Sequence, residues 1–134
     1  MNSWYSKGVE AFAGKHIDFD GDNIKALLAT GTYTPNMDAD QFVSDIPSLA
    51  IISRSPNLSG KSETGGVLNC STVTFTLVTA GFLIPYVVFY QDTGADATSR
   101  LLFKYDTGQG LPVTSAGNNI AVQIDTGPYK LARL

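Results

Sequence analysis

The sequence contains few of the residues that build reactive centres. It has one cysteine, Cys70, and one histidine, His16, in 134 residues. A single cysteine excludes an internal disulfide and is typical of a protein made in a reducing compartment. A hydrolase needs an activated nucleophile with a base and an orienting acid, and a zinc site needs several His or Cys ligands. We therefore predict that the protein is not an enzyme, with no catalytic residues, no cofactor and no metal site.

Charged residues are also sparse, at 16% of the chain, and the formal net charge is −3. Lys and Arg are scattered, whereas proteins that bind nucleic acid present a basic face, so nucleic acid is not a predicted partner. The N-terminus lacks a basic segment followed by an apolar run, so we expect no secretory signal. The uncharged stretch 64–91 has a dense apolar part of only 11 residues, 80–90. A membrane-spanning helix needs about 20 residues, so no membrane partner is predicted.

Glycine, threonine and turn-forming residues are plentiful, which favours a mainly β protein. A chain of 134 residues suits one domain, 1–134. Its predicted centre is a β-hairpin within residues 86–113, where two aromatic and β-branched runs flank a polar, Gly-containing loop. The first run, 86–91, is apolar on both faces, which places it in the middle of the protein. The second run, 100–105, alternates, and we expect its Arg100, Leu102 and Lys104 face to be wet.

The remaining elements are mostly short strands. Residues 3–13 predict a helix with Ser3 as N-cap, an apolar stripe of Tyr5, Val9 and Phe12, and Gly14 at its end. This N-terminal helix or arm, 1–14, is expected to dock on its own sheet or on a neighbouring subunit. A helical turn is predicted at 38–46, and strands are predicted at 24–33, 49–54, 71–77, 120–124 and 129–134. About eight strands at this spacing predict a two-sheet antiparallel β-sandwich, jelly-roll or immunoglobulin-like, with a short N-terminal α-helix.

One motif looks like the active-site loop of the retroviral aspartic proteases, Asp92-Thr93-Gly94-Ala95-Asp96. That chemistry needs two carboxylates held against each other and a later apolar–apolar–Gly motif, which the rest of the chain does not contain. Asp-Thr-Gly also occurs at Asp106 and Asp125, each time after a strand-like run. Asp at the start of a turn and Gly in the left-handed position explain all three copies, so we interpret them as turns.

Alternating aspartates at Asp18, Asp20 and Asp22 begin like a calcium-binding EF-hand loop. The sixth position is Asn23, where glycine is required, and the twelfth is Ala29, where a bidentate glutamate belongs. We interpret the segment as a turn into the next strand, with calcium as the weaker alternative.

The triplet Gly60-Lys61-Ser62 matches the end of a phosphate-binding loop. The first glycine of that motif would fall at Ser55, and residues 63–66 cannot begin the helix that the mechanism needs. No nucleotide site is predicted.

A series of short motifs runs in a fixed order along almost the whole chain. They are Trp4-Tyr5 with Lys7, Asp18-Phe19-Asp20, Ile24–Leu28, Phe42 with Asp45-Ile46-Pro47, Gly60-Lys61-Ser62, Gly66-Val67, Val73-Thr74-Phe75, Tyr90–Gly94, Ala97–Leu101, Asp106-Thr107-Gly108, Gly110–Thr114 and Ile120–Asp125. In this order the chain resembles a family of small structural proteins encoded among the head and tail genes of tailed bacteriophages. It departs from that pattern at Ile124, where the family commonly has Trp, and at 80–85, which is more apolar and is a predicted interface.

The resemblance implies a non-enzymatic virion component, made in the host bacterial cytoplasm. Our hypothesis is a capsid cement or decoration protein, a homo-oligomer that contacts the major capsid protein or other virion proteins through the N-terminal helix and 80–85. Removal of residues 1–14 is expected to leave the sandwich folded. A tail, baseplate or head-fibre component is the alternative, as is a carbohydrate- or receptor-binding module of the virion. For that module the tyrosines would supply stacking faces, although they equally suit a core: Tyr5, Tyr33, Tyr86, Tyr90, Tyr105 and Tyr129.

Overall fold

A computed structural model of the chain describes residues 3–105, 111–124 and 132–133. The described residues form twelve short strands, one α-helix (α1, Ser6–Ala13) and two 3-10 turns, Val43–Asp45 and Ser48–Ala50. The strands are β1 Ser3–Trp4, β2 Ile24–Ala29, β3 Ile51–Arg54, β4 Ser62–Thr64, β5 Val67–Asn69, β6 Val73–Phe75, β7 Leu83–Ile84, β8 Tyr86–Gln91, β9 Leu101–Tyr105, β10 Val113–Thr114, β11 Ile120–Val122 and β12 Ala132–Arg133. The predicted mainly β class, with one short helix, is confirmed.

A five-stranded antiparallel sheet in the order β1-β9-β8-β2-β3 forms the centre of the fold. β8 lies in its middle and pairs along its whole length with β2, from Ile24 opposite Gln91 to Ala29 opposite Tyr86. Residues 87–90 are all buried. The apolar run is buried on both sides because both faces of this sheet are covered, which confirms its predicted central position.

The two faces of the central sheet have separate apolar clusters. One cluster contains Leu28 and Phe89 and is covered by three small antiparallel sheets, β12-β5-β4, β11-β6 and β10-β7. The other contains Leu27 and Tyr90 and is covered by residues of the 33–50 segment, including Val43. The fold is therefore sandwich-like, with a second layer that is divided into three small sheets.

The wet face predicted for the second hairpin run is wrong at Leu102. Arg100 and Lys104 are half-exposed, but Leu102 is completely buried in the larger cluster. The strand pairing places Phe89 opposite Phe103 and then Tyr90 opposite Leu101, so the register shifts at this point. Such a bulge re-aims a side chain, and alternation along the sequence does not reveal it.

The N-terminal segment differs from the prediction in where its helix begins. Ser3 and Trp4 pair with β9, the Tyr5 N–H donates to the Leu102 carbonyl at 3.0 Å, and the helix starts only at Ser6. The buried positions of α1 are Gly8 and Ala11, while Val9 of the predicted stripe is 44% exposed. The helix docks on its own sheet through the small residues Gly8 and Ala11, and Phe12 packs against the larger cluster.

Residues 3–14 are thus part of the core and not a separable arm. Tyr5 is fully buried, and its hydroxyl lies 2.8 Å from the hydroxyl of Tyr33. Trp4 packs on Phe103 and Phe12 with ring centroids 4.9 and 5.5 Å apart. The expectation that the sandwich stays folded without residues 1–14 stays a prediction, although their loss would uncover part of both clusters.

Several strands are shorter than their patterns suggest. The strand predicted to reach Tyr33 ends at Ala29, and the one predicted at 49–54 begins at Ile51 after a 3-10 turn. The helical turn predicted at 38–46 is reduced to Val43–Asp45. The predicted last strand, 129–134, is described only at Ala132–Arg133, opposite Leu68 and Val67. Turn-forming residues, Gly31 after the first of these strands and Pro47 before the second, shorten the strands beside them.

Candidate association surface

The surface that stands out is a long antiparallel pairing of two distant segments, which we call the neutral ribbon and define as residues 73–84 and 113–122. At one end β6 pairs with β11, and at the other β7 pairs with β10. Between these pairs, the Val78 N–H donates to the Asn118 carbonyl at 3.0 Å and the Gly81 N–H donates to the Ser115 carbonyl at 2.9 Å. The two small sheets are therefore parts of one interrupted ribbon that lies over the core.

The neutral ribbon contains no charged residue. All nine Lys and Arg, all twelve Asp and Glu, and the single His lie outside the sequence segments 64–91 and 107–124. Both uncharged segments can be read from the sequence. Their adjacency cannot, because only the strand pairing brings the two together on one surface.

The neutral ribbon also exposes large apolar side chains within seven consecutive residues. Leu77 is 71% exposed, Leu83 60% and Phe82 38%. Their inward neighbours Phe75 and Ile84 are fully buried in the core. Single exposed leucines are ordinary on protein surfaces. Three large exposed apolar side chains in a segment without charge make this segment a candidate interaction site.

The outward position of Leu77 contradicts the alternation from Val73 through Phe75, which predicts that it points inward. Its backbone has φ of +47°, a conformation rare for a side chain of this kind, and its N–H donates to Asn119 Oδ1 at 2.8 Å. The strand ends at Phe75, and the chain turns Leu77 toward solvent. The apolar stretch predicted as an interface, 80–85, is thus exposed at its Phe82 and Leu83 positions, while Ile84 belongs to the core.

The loop that resembles a protease site is a braced turn. Gly94 has φ of +90°, and its N–H donates to Asp92 Oδ1 at 3.0 Å, which confirms the turn interpretation of this copy. The Lys25 ammonium lies 2.9 Å from Asp92 and holds the pKa of that carboxyl below its usual range. The Arg54 guanidinium donates two bonds to Asp96, at 2.7 and 2.8 Å. Each carboxylate is paired with a cation, whereas an aspartic protease site needs two carboxyl groups that share a proton. The other two copies of the motif, at Asp106 and Asp125, lie outside the described residues.

The aspartates at 18–22 also serve a turn. The Gly21 N–H donates to Asp18 Oδ1 at 3.1 Å, and the Asp18 N–H donates to Asp22 Oδ2 at 2.8 Å. Within residues 3–105 and 111–124, no group of three or more His, Cys, Asp and Glu side chains is placed to hold a metal ion. The Lys61 ammonium donates to the Asp22 carbonyl at 2.7 Å, and the residues after it form β4, not the helix of a nucleotide-binding loop.

The single histidine and the single cysteine lie in different environments. His16 is exposed, whereas Cys70 is buried, and burial raises the pKa of its thiol to about 11. A shallow cleft of about 130 Å³ lies between residues 55–59 and 71–74, and Ser, Thr, Asn, Pro, Leu and Val line it without any titratable side chain.

The tyrosines mostly belong to the core. Tyr5, Tyr33, Tyr90 and Tyr105 are buried and Tyr86 is half-buried, while Tyr129 lies outside the described residues. Tyr33 donates from its hydroxyl to Asp40 Oδ2 at 2.7 Å, which completes a polar chain from Tyr5. The core interpretation is confirmed for the four buried tyrosines.

No protein-family model matches the sequence, and no curated protein matches it either. The resemblance to structural proteins of tailed phages therefore stays a prediction from the order of the motifs. In the part of the chain that the structure describes, the one helix has eight residues, and no helix is long and apolar enough to cross a membrane.

Proposed function

We propose that the protein is a non-enzymatic component of a tailed-phage virion, a cement or decoration protein that stabilises the capsid by contacts between subunits. The observation that carries this proposal is the exposed apolar group Leu77, Phe82 and Leu83 on the neutral ribbon. The order of the phage-like motifs along the chain supports it independently.

The neutral ribbon has the chemistry of the buried centre of an interface. The buried centre of an interface is depleted of charged residues and is more apolar than the rest of the protein surface. Burying a leucine fully stabilises an association by roughly 1.5–3 kcal/mol. Two exposed leucines and Phe82 therefore supply an adhesive contact, which would stabilise an assembled shell by mass action.

The outer side of α1 is the weaker of the two contact surfaces predicted from the sequence. Its exposed apolar residue is Val9, beside a Lys7–Glu10 ion pair of 3.2 Å. Its other side is occupied by β9, since Gly8 and Ala11 are buried. We therefore place the main contact on the neutral ribbon.

The test compares particles of the encoding phage that carry the wild-type chain, Leu83→Asp or Leu49→Asp. Leu49 is 87% exposed in the 3-10 turn Ser48–Ala50, away from the neutral ribbon, so it controls for adding a carboxylate to an exposed leucine. We expect wild type and Leu49→Asp to occupy the capsid, and Leu83→Asp to be depleted from it.

Electron cryomicroscopy of the particles and quantitative mass spectrometry provide the readout. Density for the chain on the tail would replace the cement role with the tail alternative. Complete absence of the chain from purified particles would refute a virion role.

A further inference from the structure

Leu77 combines a strained backbone with an exposed apolar side chain. Its φ of +47° lies in the left-handed region, which is unfavourable for a leucine because its Cβ comes too close to the following carbonyl oxygen. The side chain is 71% exposed, so burial in the core does not offset this strain. Six described glycines adopt positive φ, including Gly81 and Gly117 of the same ribbon. A leucine in this conformation is therefore not explained by the folding of the chain alone.

The bend at Leu77 belongs to a difference in length between the two halves of the neutral ribbon. Between the same paired ends, the stretch 75–84 takes nine steps and the stretch 113–120 takes seven. Two extra residues must therefore bulge out of the first half, and a bulge of this kind re-aims side chains. Phe75 and Val78 are both buried while Leu77 between them faces solvent, so one extra residue lies at this bend.

The side chain of Asn119 holds this bend from the other half of the ribbon. Its Oδ1 accepts the Leu77 N–H at 2.8 Å, and the backbone carbonyl of Asn118 accepts the Val78 N–H at 3.0 Å. Of these two bonds only the first depends on a side chain, so a substitution at position 119 removes it selectively. Asn118 is also exposed, and its side chain has no hydrogen bond within the described part of the chain, which makes it a matched control.

We propose that Asn119 is a positioning residue for the association surface, because it fixes Leu77 in the strained, outward conformation in which this leucine anchors the contact. The inference rests on the association surface put forward under the proposed function, and it does not depend on which virion protein is the partner. An anchor that is already held in its binding conformation loses less conformational freedom on association. The cost of ordering Leu77 therefore falls on folding and not on binding.

Thermal unfolding of Leu77→Gly and Leu77→Ala measures the strain. Both substitutions remove the exposed side chain, but only glycine adopts positive φ without strain. At a position of ordinary φ alanine stabilises a fold more than glycine, whereas here we expect Leu77→Gly to melt about 3 °C or more above Leu77→Ala. Equal melting temperatures, or a more stable Leu77→Ala, would show that the bend is not strained and would overturn the inference.

Amide hydrogen exchange followed by NMR measures the hold of Asn119 on the bend. Asn119→Ala should speed the exchange of the Leu77 amide by roughly threefold or more, because this amide loses its acceptor. Asn118→Ala should leave the rate unchanged. A Leu77 amide that exchanges equally fast in wild type and in Asn119→Ala would refute the positioning role. Circular dichroism spectra of all variants should equal that of wild type, because the substituted positions are exposed.

The same variants in particles of the encoding phage connect the bend to the contact. We expect Asn119→Ala and Leu77→Ala to be depleted from the capsid relative to wild type and Asn118→Ala, although Asn119→Ala retains every apolar side chain of the neutral ribbon. If Leu83→Asp is depleted while Asn119→Ala occupies the capsid fully, the proposed function stands and the positioning role fails. If the wild type is absent from particles, the proposed function fails, and the unfolding and exchange measurements decide whether Asn119 holds Leu77 outward.

Discussion

Replacement of Gly8 by alanine tests whether α1 is held by close backbone contact with the central sheet. A Cβ atom built at Gly8 would lie 2.7 Å from the carbonyl oxygens of Leu101 and Leu102, whereas ordinary contacts begin at 3.4 Å. Both oxygens belong to the backbone of β9, so neither can rotate away. The helix would have to move by roughly 0.7 Å, and such overpacking typically costs about 1–3 kcal/mol.

Helix propensity predicts the opposite sign for the same substitution. Alanine within a helix is favoured over glycine by about 1 kcal/mol. The clash should win, because a shifted α1 also loosens the packing of Ala11 and of Tyr5 just before it. We expect Gly8→Ala to lower the free energy of unfolding by about 1 kcal/mol or more, which corresponds to a loss of about 3–5 °C in Tm.

The assay is urea and thermal unfolding, with Gly31→Ala as the matched control. A Cβ at Gly31 would meet nothing within 4 Å, and its φ is ordinary. Gly31→Ala should therefore be neutral or stabilising by up to about 1 kcal/mol, since it restricts the unfolded chain. Equal effects of the two substitutions, or a stabilised Gly8→Ala variant, would show that the helix is not packed as described.

Three further predictions concern titratable groups. Tyr33→Phe removes the hydroxyl between Tyr5 and Asp40 and should lower the free energy of unfolding in urea by about 1–2 kcal/mol at neutral pH. Burial raises the pKa of Tyr33, so the free energy of unfolding of the wild type should stay constant below pH 10.0, the ordinary pKa of tyrosine, and fall as the pH rises above it. The check is that this fall is smaller in Tyr33→Phe. Cys70, with a pKa of about 11, should react with an aromatic disulfide reagent at slightly alkaline pH only after unfolding, and fast reaction of the native protein would contradict its burial. The lysine partner lowers the pKa of Asp92, so this carboxylate stabilises the fold at pH values above its ordinary pKa of 3.8. In that pH range Asp92→Asn should lower the free energy of unfolding by up to about 1 kcal/mol. In an acid titration the difference between the two proteins should vanish as the pH falls below 3.8.

The sequence predicts the centre of the fold well, because buried central strands carry a continuous apolar run. Residues 86–91 form such a run, and their position in the sheet is confirmed. Hairpin strands β4 and β5 went unpredicted, although Gly65 and Gly66 adopt the two positive φ values that a two-residue turn between strands requires. Strands of two or three residues have too few side chains to show alternation.

The candidate surface was predictable in part. The apolar character of 80–85 indicates an interface, and Phe82 and Leu83 lie there. Leu77 was predicted inward, because nothing in the sequence signals its positive φ. The sequence does contain one signal that would have found the opposite half of the neutral ribbon: residues 107–124 are as free of charge as 64–91. Their adjacency depends on long-range pairing, which a local pattern does not reveal.

The pairing of 73–84 with 113–122 also has a consequence for the order of events during synthesis. Segment 113–122 follows the central hairpin in the sequence. A nascent chain that ends before residue 113 therefore has no strand to pair with segment 73–84. Closing so long a loop costs entropy that the hairpin must offset by folding first. Because the neutral ribbon forms only at this late stage, unfinished chains would not join an assembly. Only chains whose core has already folded would present the complete association surface.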